Sequence, residues 1–157
     1  MFKRLFSKST TIPVLRLSGI ISSQSGLTGS GLAINNLEKL IDKLFADKKS
    51  PVVGLVINSP GGSPTQSSLI AKRIIDLAKE KNKKVLAFVE DVAASGGYWL
   101  ACAADEIYID QNSVIGSIGV ISPGFGFVDL LKKNGFEWGV YTGGKVKILV
   151  DHLKEEK

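Results

Sequence analysis

The sequence VVGLVI at residues 52–57, followed by NSPGGSP at residues 58–64, decides the predicted fold. The first stretch is a continuous apolar run rich in β-branched side chains, which is typical of a parallel strand covered on both faces. The second stretch combines serine, proline and glycine, and it predicts a sharp turn. Apolar side chains at helical spacing then continue to the lysine-rich segment near Asn82, so the pattern predicts a strand, a turn and a helix in succession.

The same order recurs in the next part of the chain. Residues 85–89 (VLAFV) predict a second buried strand, residues 91–97 (DVAASGG) a second turn of small residues, and residues 97–104 a short apolar helix. Strands that alternate with helices predict right-handed crossovers and an α/β fold with a mostly parallel sheet. Sites in such sheets form beyond the carboxyl ends of the strands, which is where both glycine turns fall.

Shorter patterns predict the remaining elements. We expect an edge strand at residues 12–17, a Ser/Gly-rich loop at 22–31, a helix from Asn35 that Asn35 or Asn36 caps, strands at 106–109, 119–122 and 137–142, and a helix at 127–133. With 157 residues and 44% apolar content, the chain can bury one core. We therefore expect one domain at residues 12–151 between a basic tail at 1–11 and a polar tail at 152–157.

Composition excludes several classes of site. The net charge is +5, but the 20 basic residues are scattered and no basic run is interleaved with aromatics, so no nucleic-acid partner is predicted. The single cysteine, Cys102, excludes an intramolecular disulfide, and its apolar surroundings predict burial in a helix. With His152 as the sole histidine, no cysteine- or histidine-rich metal site is expected.

The beginning of the chain predicts at most a weak contact with a membrane surface. Phe2, Leu5 and Phe6 stand among basic residues, but no apolar run of about 18 residues follows them. No membrane span is therefore predicted, and a solvated N-terminal tail is the alternative.

Ser95 is the candidate nucleophile. It follows a strand and starts an apolar helix, where free backbone N–H groups favour a developing oxyanion. The two glycine turns should face each other across the end of the sheet, so that Gly61 or Gly62 adds a second N–H donor, while Gly61 and Gly97 admit a substrate backbone. The alternative is an ordinary serine N-cap.

A serine nucleophile needs a base. His152 lies in the polar tail, which disfavours a Ser-His-Asp triad and leaves a partly desolvated lysine as the established route. Lys147 lies in an apolar segment after a glycine turn, where such an amine could occur. The local pattern leaves an exposed lysine open as the alternative.

Three stretches resemble consecutive blocks of the signal peptide peptidase A family of serine peptidases. They are INSPGGSP at residues 57–64, DVAASGGYWLACAAD at 91–105 and IGSIGV at 115–120, and the similarity extends from about Ile12 to Asp151. The resemblance implies Ser95 as nucleophile and the N–H groups of Gly62 and Gly96 as oxyanion donors. In the lysine segment at residues 142–147, where Gly143 replaces the family's alanine, it assigns the base to Lys147 rather than to Lys145.

The resemblance also implies the remaining features of such a protein. These are a Clp-protease-like or crotonase-like superhelix of β-β-α units, peptide substrates, no cofactor and a homo-oligomer with active sites shared between subunits. The expected location is bacterial, in the cytoplasm or peripheral to the inner membrane.

Two alternatives to a peptidase remain open, and the first follows from two departures from the family. The chain ends ten residues after Lys147, whereas family members continue further, and it lacks the N-terminal anchor of many members. One alternative is therefore a truncated, catalytically inert relative that acts as an oligomerisation or binding module. A second alternative, which shares the fold and the two-donor oxyanion hole, is a crotonase-type acyl-CoA enzyme that uses carboxylates such as Glu90 and Asp91.

Overall fold

A five-stranded parallel sheet forms the centre of the first of two compact units, which are Met1–Gly119 and Val120–Lys157. The computed structural model describes residues 11–23, 25–26, 29–119 and 127–137. The strands are, in chain order, β1 (Val14–Ser18), β2 (Ser25–Gly26), β3 (Gly29–Ser30), β4 (Val52–Ser59), β5 (Lys84–Ala94), β6 (Glu106–Ile109) and β7 (Val114–Gly116). The sheet order is β1-β4-β5-β6, and β7 pairs with the carboxyl end of β5. The predicted α/β class and mostly parallel sheet are confirmed, with β1 at the edge.

Local sequence explains where the helices begin and end. The helices are α1 (Ile34–Ala46), α2 (Pro64–Lys81), α3 (Gly96–Ala101) and, in the second unit, α4 (Val128–Lys133). Ser63 caps α2 by accepting a hydrogen bond from the Gln66 N–H at 3.4 Å, Pro64 takes the first position, and Asn82 ends the helix in a left-handed conformation.

The predicted cap of α1 is wrong. The N-cap is Ala33, and neither Asn35 nor Asn36 takes that position. The Ile34 N–H instead donates to the side-chain oxygen of Gln66 at 2.9 Å, so α2 satisfies a free donor at the start of α1. A tertiary contact thus replaces the local cap.

Helices cover one face of the sheet. The inward rows pair Leu17 with Ile57 and Val89, and Leu15 with Leu55 and Ala87. All of these are buried except Leu15, which is partly buried and packs against the same core. On the opposite face of the sheet, Val56 is half-buried and Phe88 is 41% exposed. The expectation that both faces are covered is therefore wrong for the described part of the chain.

Other differences from the predictions concern short elements. The expected loop at residues 22–31 contains the antiparallel β2–β3 pair, and β5 continues to Ala94, so the turn before Ser95 is tighter than expected. The strand expected at 119–122 is wrong at Gly119, because β7 ends at Gly116; residues 120–122 lie outside the described residues. Cys102 follows α3 and is exposed, not buried. The helix predicted at 127–133 is confirmed, and the strand predicted at 137–142 lies outside the described residues beyond Glu137.

No helix within residues 11–23, 29–119 and 127–137 is long and apolar enough to cross a membrane.

Candidate active site

The two glycine turns meet at the carboxyl ends of β4 and β5. Gly61 has φ +95°, and a Cβ built on it would lie 2.6 Å from the Ala94 carbonyl oxygen and 2.9 Å from the Ser95 Cβ. A Cβ on Gly97 would collide with the carbonyl oxygen of Ser59. Side chains at these positions would force the turns apart, so glycine is required for their contact. The predicted approach of the two turns is confirmed.

Ser95 holds a backbone conformation that L-residues rarely adopt, with φ 51° and ψ −117°. It occupies the N-cap position of α3, yet its side chain makes no capping hydrogen bond, in contrast to Ser63 on α2. The backbone is held on both sides: the Ser95 N–H donates to the Gly116 carbonyl at 2.7 Å, and the Trp99 N–H donates to the Ser95 carbonyl at 3.1 Å. Ser95 thus takes the N-cap position that the alternative gave it, but without the side-chain hydrogen bond of an ordinary serine N-cap.

The proposed oxyanion donors lie on either side of this serine. Gly96 is buried, Gly62 is exposed, and a Cβ on either would collide with a neighbour, the Ser67 hydroxyl and the Ile21 carbonyl respectively. Among the backbone bonds that join loops, turns and helix ends in the described residues, neither the Gly62 N–H nor the Gly96 N–H is a donor. Both N–H groups therefore have no carbonyl partner among these bonds.

Ser59 is a site residue that the sequence analysis missed. It is fully buried at the end of β4, its Oγ donates to the Gly19 carbonyl at 2.7 Å, and the Gly61 N–H donates to the same Oγ at 3.1 Å. The available signal was the two-residue period of the strand, which continues the inward row Val53, Leu55 and Ile57 to Ser59.

The carboxylates near the turns have other partners. Glu90 accepts two hydrogen bonds from the Arg16 guanidinium, at 2.8 and 2.5 Å, and Asp91 accepts one from the Asn58 amide at 2.8 Å. A carboxylate held in such pairs is poorly suited to act on a substrate proton. This disfavours the acyl-CoA alternative.

Three groups toward the amino ends of β5 and β6 have shifted pKa values. Lys84 begins β5 and Glu106 begins β6, and the Lys84 amine donates to the Glu106 carboxylate at 2.5 Å. This hydrogen bond lowers the pKa of Glu106 and raises the pKa of Lys84, while the hydrogen bond to Glu106 raises the pKa of Tyr108. These shifts reflect surface ion pairing away from the glycine turns.

The candidate base lies outside the described residues, as do Gly143, Lys145 and His152. The structure thus brings together Ser95, Gly61, Gly62, Gly96 and Gly97, and it describes nothing of the surroundings of Lys147. The described arrangement can present a serine hydroxyl beside backbone N–H donors, which is the chemistry of acyl transfer.

Similar known proteins carry an antiporter name in one case and protease names in others. The chain is 50% identical to a Brucella melitensis protein named Na(+)/H(+) antiporter NhaA over 155 residues, which cover 99% of the chain and 21% of that protein. It is 38% identical to the chloroplastic serine protease SPPA of Arabidopsis thaliana, and the match covers 85% of the chain and 20% of that protein. It is 35% identical to the probable protease SohB of Haemophilus influenzae, and the match covers 94% of the chain and 40% of that protein. The chain thus spans between one fifth and two fifths of these relatives.

The model of peptidase family S49 matches residues 77–157, which is just over half of the chain and includes Ser95 and Lys147. The mostly parallel sheet with alternating helices fits the Clp-protease-like fold of such a peptidase. On this match, the chain belongs to peptidase family S49.

Proposed function

We propose that this chain carries the catalytic residues of a serine peptidase, with Ser95 as nucleophile and Lys147 as general base. The observation that carries the proposal is the Ser95 side chain, which stands in a left-handed N-cap position, makes no capping bond, and lies against a second glycine turn. A strained serine between a strand and a helix is a recurring way to present a nucleophile. The protease names of the Arabidopsis and Haemophilus relatives support it.

The proposed reaction is acyl transfer. Lys147 takes the Ser95 hydroxyl proton as Oγ bonds to the carbonyl carbon of a peptide, and the resulting oxyanion accepts hydrogen bonds from the Gly62 and Gly96 N–H groups. The C–N bond then breaks and the amine leaves with the proton from Lys147. Water then attacks the acyl carbon as it gives a proton to the Lys147 amine. The ester C–O bond breaks, the peptide acid leaves, and Lys147 returns the proton to the Ser95 Oγ.

The substrates and partners of this proposal follow from the family resemblance. We expect extended apolar peptides such as remnant signal peptides, bound near Gly61 and Gly97, and a homo-oligomer in which neighbouring subunits share active sites. A weak contact of Phe2, Leu5 and Phe6 with a membrane surface is part of the same proposal. The antiporter name of the Brucella relative is not carried over, because the model of peptidase family S49 matches residues 77–157 of this chain and includes Ser95.

A fluorophosphonate probe tests the proposal, because it reacts with an activated serine hydroxyl and releases fluoride. We expect the purified wild-type chain to be labelled and to cleave an apolar peptide, and Ser95→Ala to lose both properties. Lys147→Ala should retain the fold and lower the labelling rate by about a hundredfold or more, because general-base catalysis typically contributes that much.

Ser68→Ala is the matched control, since Ser68 is a half-buried serine of α2 outside the site. It should be labelled as fast as the wild type. Labelling that survives Ser95→Ala would refute the nucleophile, and an unchanged rate in Lys147→Ala would refute the base. A folded wild-type chain that neither reacts with the probe nor cleaves the peptide would favour the inert binding module.

A further inference from the structure

We propose that Ser59 is a positioning residue that holds the Gly61–Gly62 turn against Ser95. The proposal rests on the peptidase function above and adds a residue to that site. Ser59 is one of three buried polar residues of the described chain, the others being Ser50 and Ser67. Its hydroxyl is satisfied in both directions, as donor to Gly19 and as acceptor from Gly61.

The Ser59 hydroxyl joins two segments far apart in sequence. Gly19 follows β1, and Gly61 lies in the turn after β4, so one buried oxygen ties the end of the edge strand to the glycine turn. The backbone reinforces the link, because the Ile21 N–H donates to the Gly61 carbonyl at 2.8 Å and the Ser63 N–H donates to the Ile21 carbonyl at 2.8 Å. The turn that carries Gly62 is thereby fixed on both sides.

The same turn touches the residue that carries the nucleophile. Gly61 packs against Ala94 and Ser95, and Gly97 packs against the Ser59 carbonyl. Ser59 therefore contacts both turns. Its hydroxyl accepts a hydrogen bond from the Gly61 N–H, and its carbonyl lies against Gly97. Loss of the hydroxyl would leave the Gly61 N–H and the Gly19 carbonyl without this partner, and the turn would relax to satisfy them.

Relaxation of this turn would move the Gly62 N–H relative to Ser95. A donor that stabilises an oxyanion must lie within hydrogen-bond distance of the position that the charge takes in the transition state. The effect should therefore fall on the rate of reaction and leave its pH dependence unchanged, because Ser59 has no ionisable group in the working pH range.

The test compares Ser59→Ala with Ser50→Ala in the full chain. Ser50 is also buried, at 2% exposure, and its hydroxyl donates to the Val52 carbonyl at the amino end of β4, away from the turns. We expect Ser59→Ala to lower the fluorophosphonate labelling rate about tenfold to a hundredfold, below the loss for a complete oxyanion donor. The midpoint of the pH profile should stay in place, and Ser50→Ala should react at close to the wild-type rate.

If Ser59→Ala folds, two outcomes overturn the assignment. Labelling of Ser59→Ala at the wild-type rate would show that the hydroxyl positions nothing, and an equal loss in Ser50→Ala would assign the effect to general destabilisation. If Ser59→Ala does not fold, Ser59→Cys decides, since a thiol of similar size is a weaker donor and acceptor; a slowed reaction supports the role and a wild-type rate refutes it. An unreactive wild type would instead refute the peptidase function itself, and the role of Ser59 with it.

Discussion

At Ser95, the backbone is strained in a way that a purely structural serine would not need. A residue with φ 51° and ψ −117° lies where glycine is favoured, and such conformations cost about 1–3 kcal/mol for other residues. The hydrogen bonds to Gly116 and from Trp99 hold this conformation in place. Strain of this kind is retained where it serves function, so the stability of the site and its activity should respond in opposite directions to substitution.

Replacing Ser95 by glycine tests this strain directly. Relief of about 1–3 kcal/mol exceeds the roughly 0.5–1 kcal/mol by which a glycine favours the unfolded chain. We therefore expect Ser95→Gly to have a free energy of unfolding about 1 kcal/mol higher than Ser95→Ala, while both variants lose probe labelling. Urea denaturation followed by circular dichroism measures the difference. Equal stability of the two variants would contradict the strain.

At the scale of the elements, the contact between the two turns depends on glycine. Any larger residue at Gly61 or Gly97 would push the backbone of the opposite turn away. A Cβ at Gly97 would collide with Ser59, whereas a Cβ at Gly119 would meet nothing within 4 Å. We expect Gly97→Ala to cost about 1–3 kcal/mol of unfolding free energy, as overpacking does, and to slow labelling. Gly119→Ala should change the free energy by no more than about 0.5 kcal/mol. Thermal denaturation of both variants distinguishes them, and a neutral Gly97→Ala would refute the contact.

The strands and turns could be predicted from the sequence, whereas features that depend on contacts between distant residues could not. The buried strands and the turns after them followed from apolar runs that end in glycine, because these features act locally. The conformation of Ser95 could not be predicted, since a serine before a helix is ordinarily extended, and its N–H donates to the carbonyl of Gly116, which lies on another strand. The cap of α1 failed for the same reason, because its partner, Gln66, lies on another helix.

Two other misses arise from short elements. The β2–β3 pair has strands of two residues each, too short for an alternating pattern to appear. Helix α3 ends at Ala101, so Cys102 escapes the burial that a longer apolar helix would have given it. Ser59, in contrast, was predictable from the alternation of β4, because an inward position at the end of a buried strand must satisfy any polar side chain placed there.

For the whole molecule, the proposed function includes a homo-oligomer in which neighbouring subunits share the Ser95–Lys147 dyad. In a ring with head-to-tail contacts, each interface joins one surface of a subunit to a different surface of its neighbour. Ser95 of one subunit can then meet Lys147 of the next. A ring that mixes chains lacking Ser95 with chains lacking Lys147 can therefore contain sites in which both residues are intact.

Mixing two inactive variants tests whether the dyad is shared between subunits. In a ring assembled at random from equal amounts of Ser95→Ala and Lys147→Ala, roughly a quarter of the neighbouring pairs combine an intact Ser95 with an intact Lys147. We expect the mixture, after dissociation and reassembly, to regain about that fraction of the wild-type labelling rate, with light scattering to verify the assembly. A dyad within one chain leaves every site in the mixture lacking one partner, so an assembled mixture as inactive as its components would refute sharing while leaving the assignments of Ser95 and Lys147 intact.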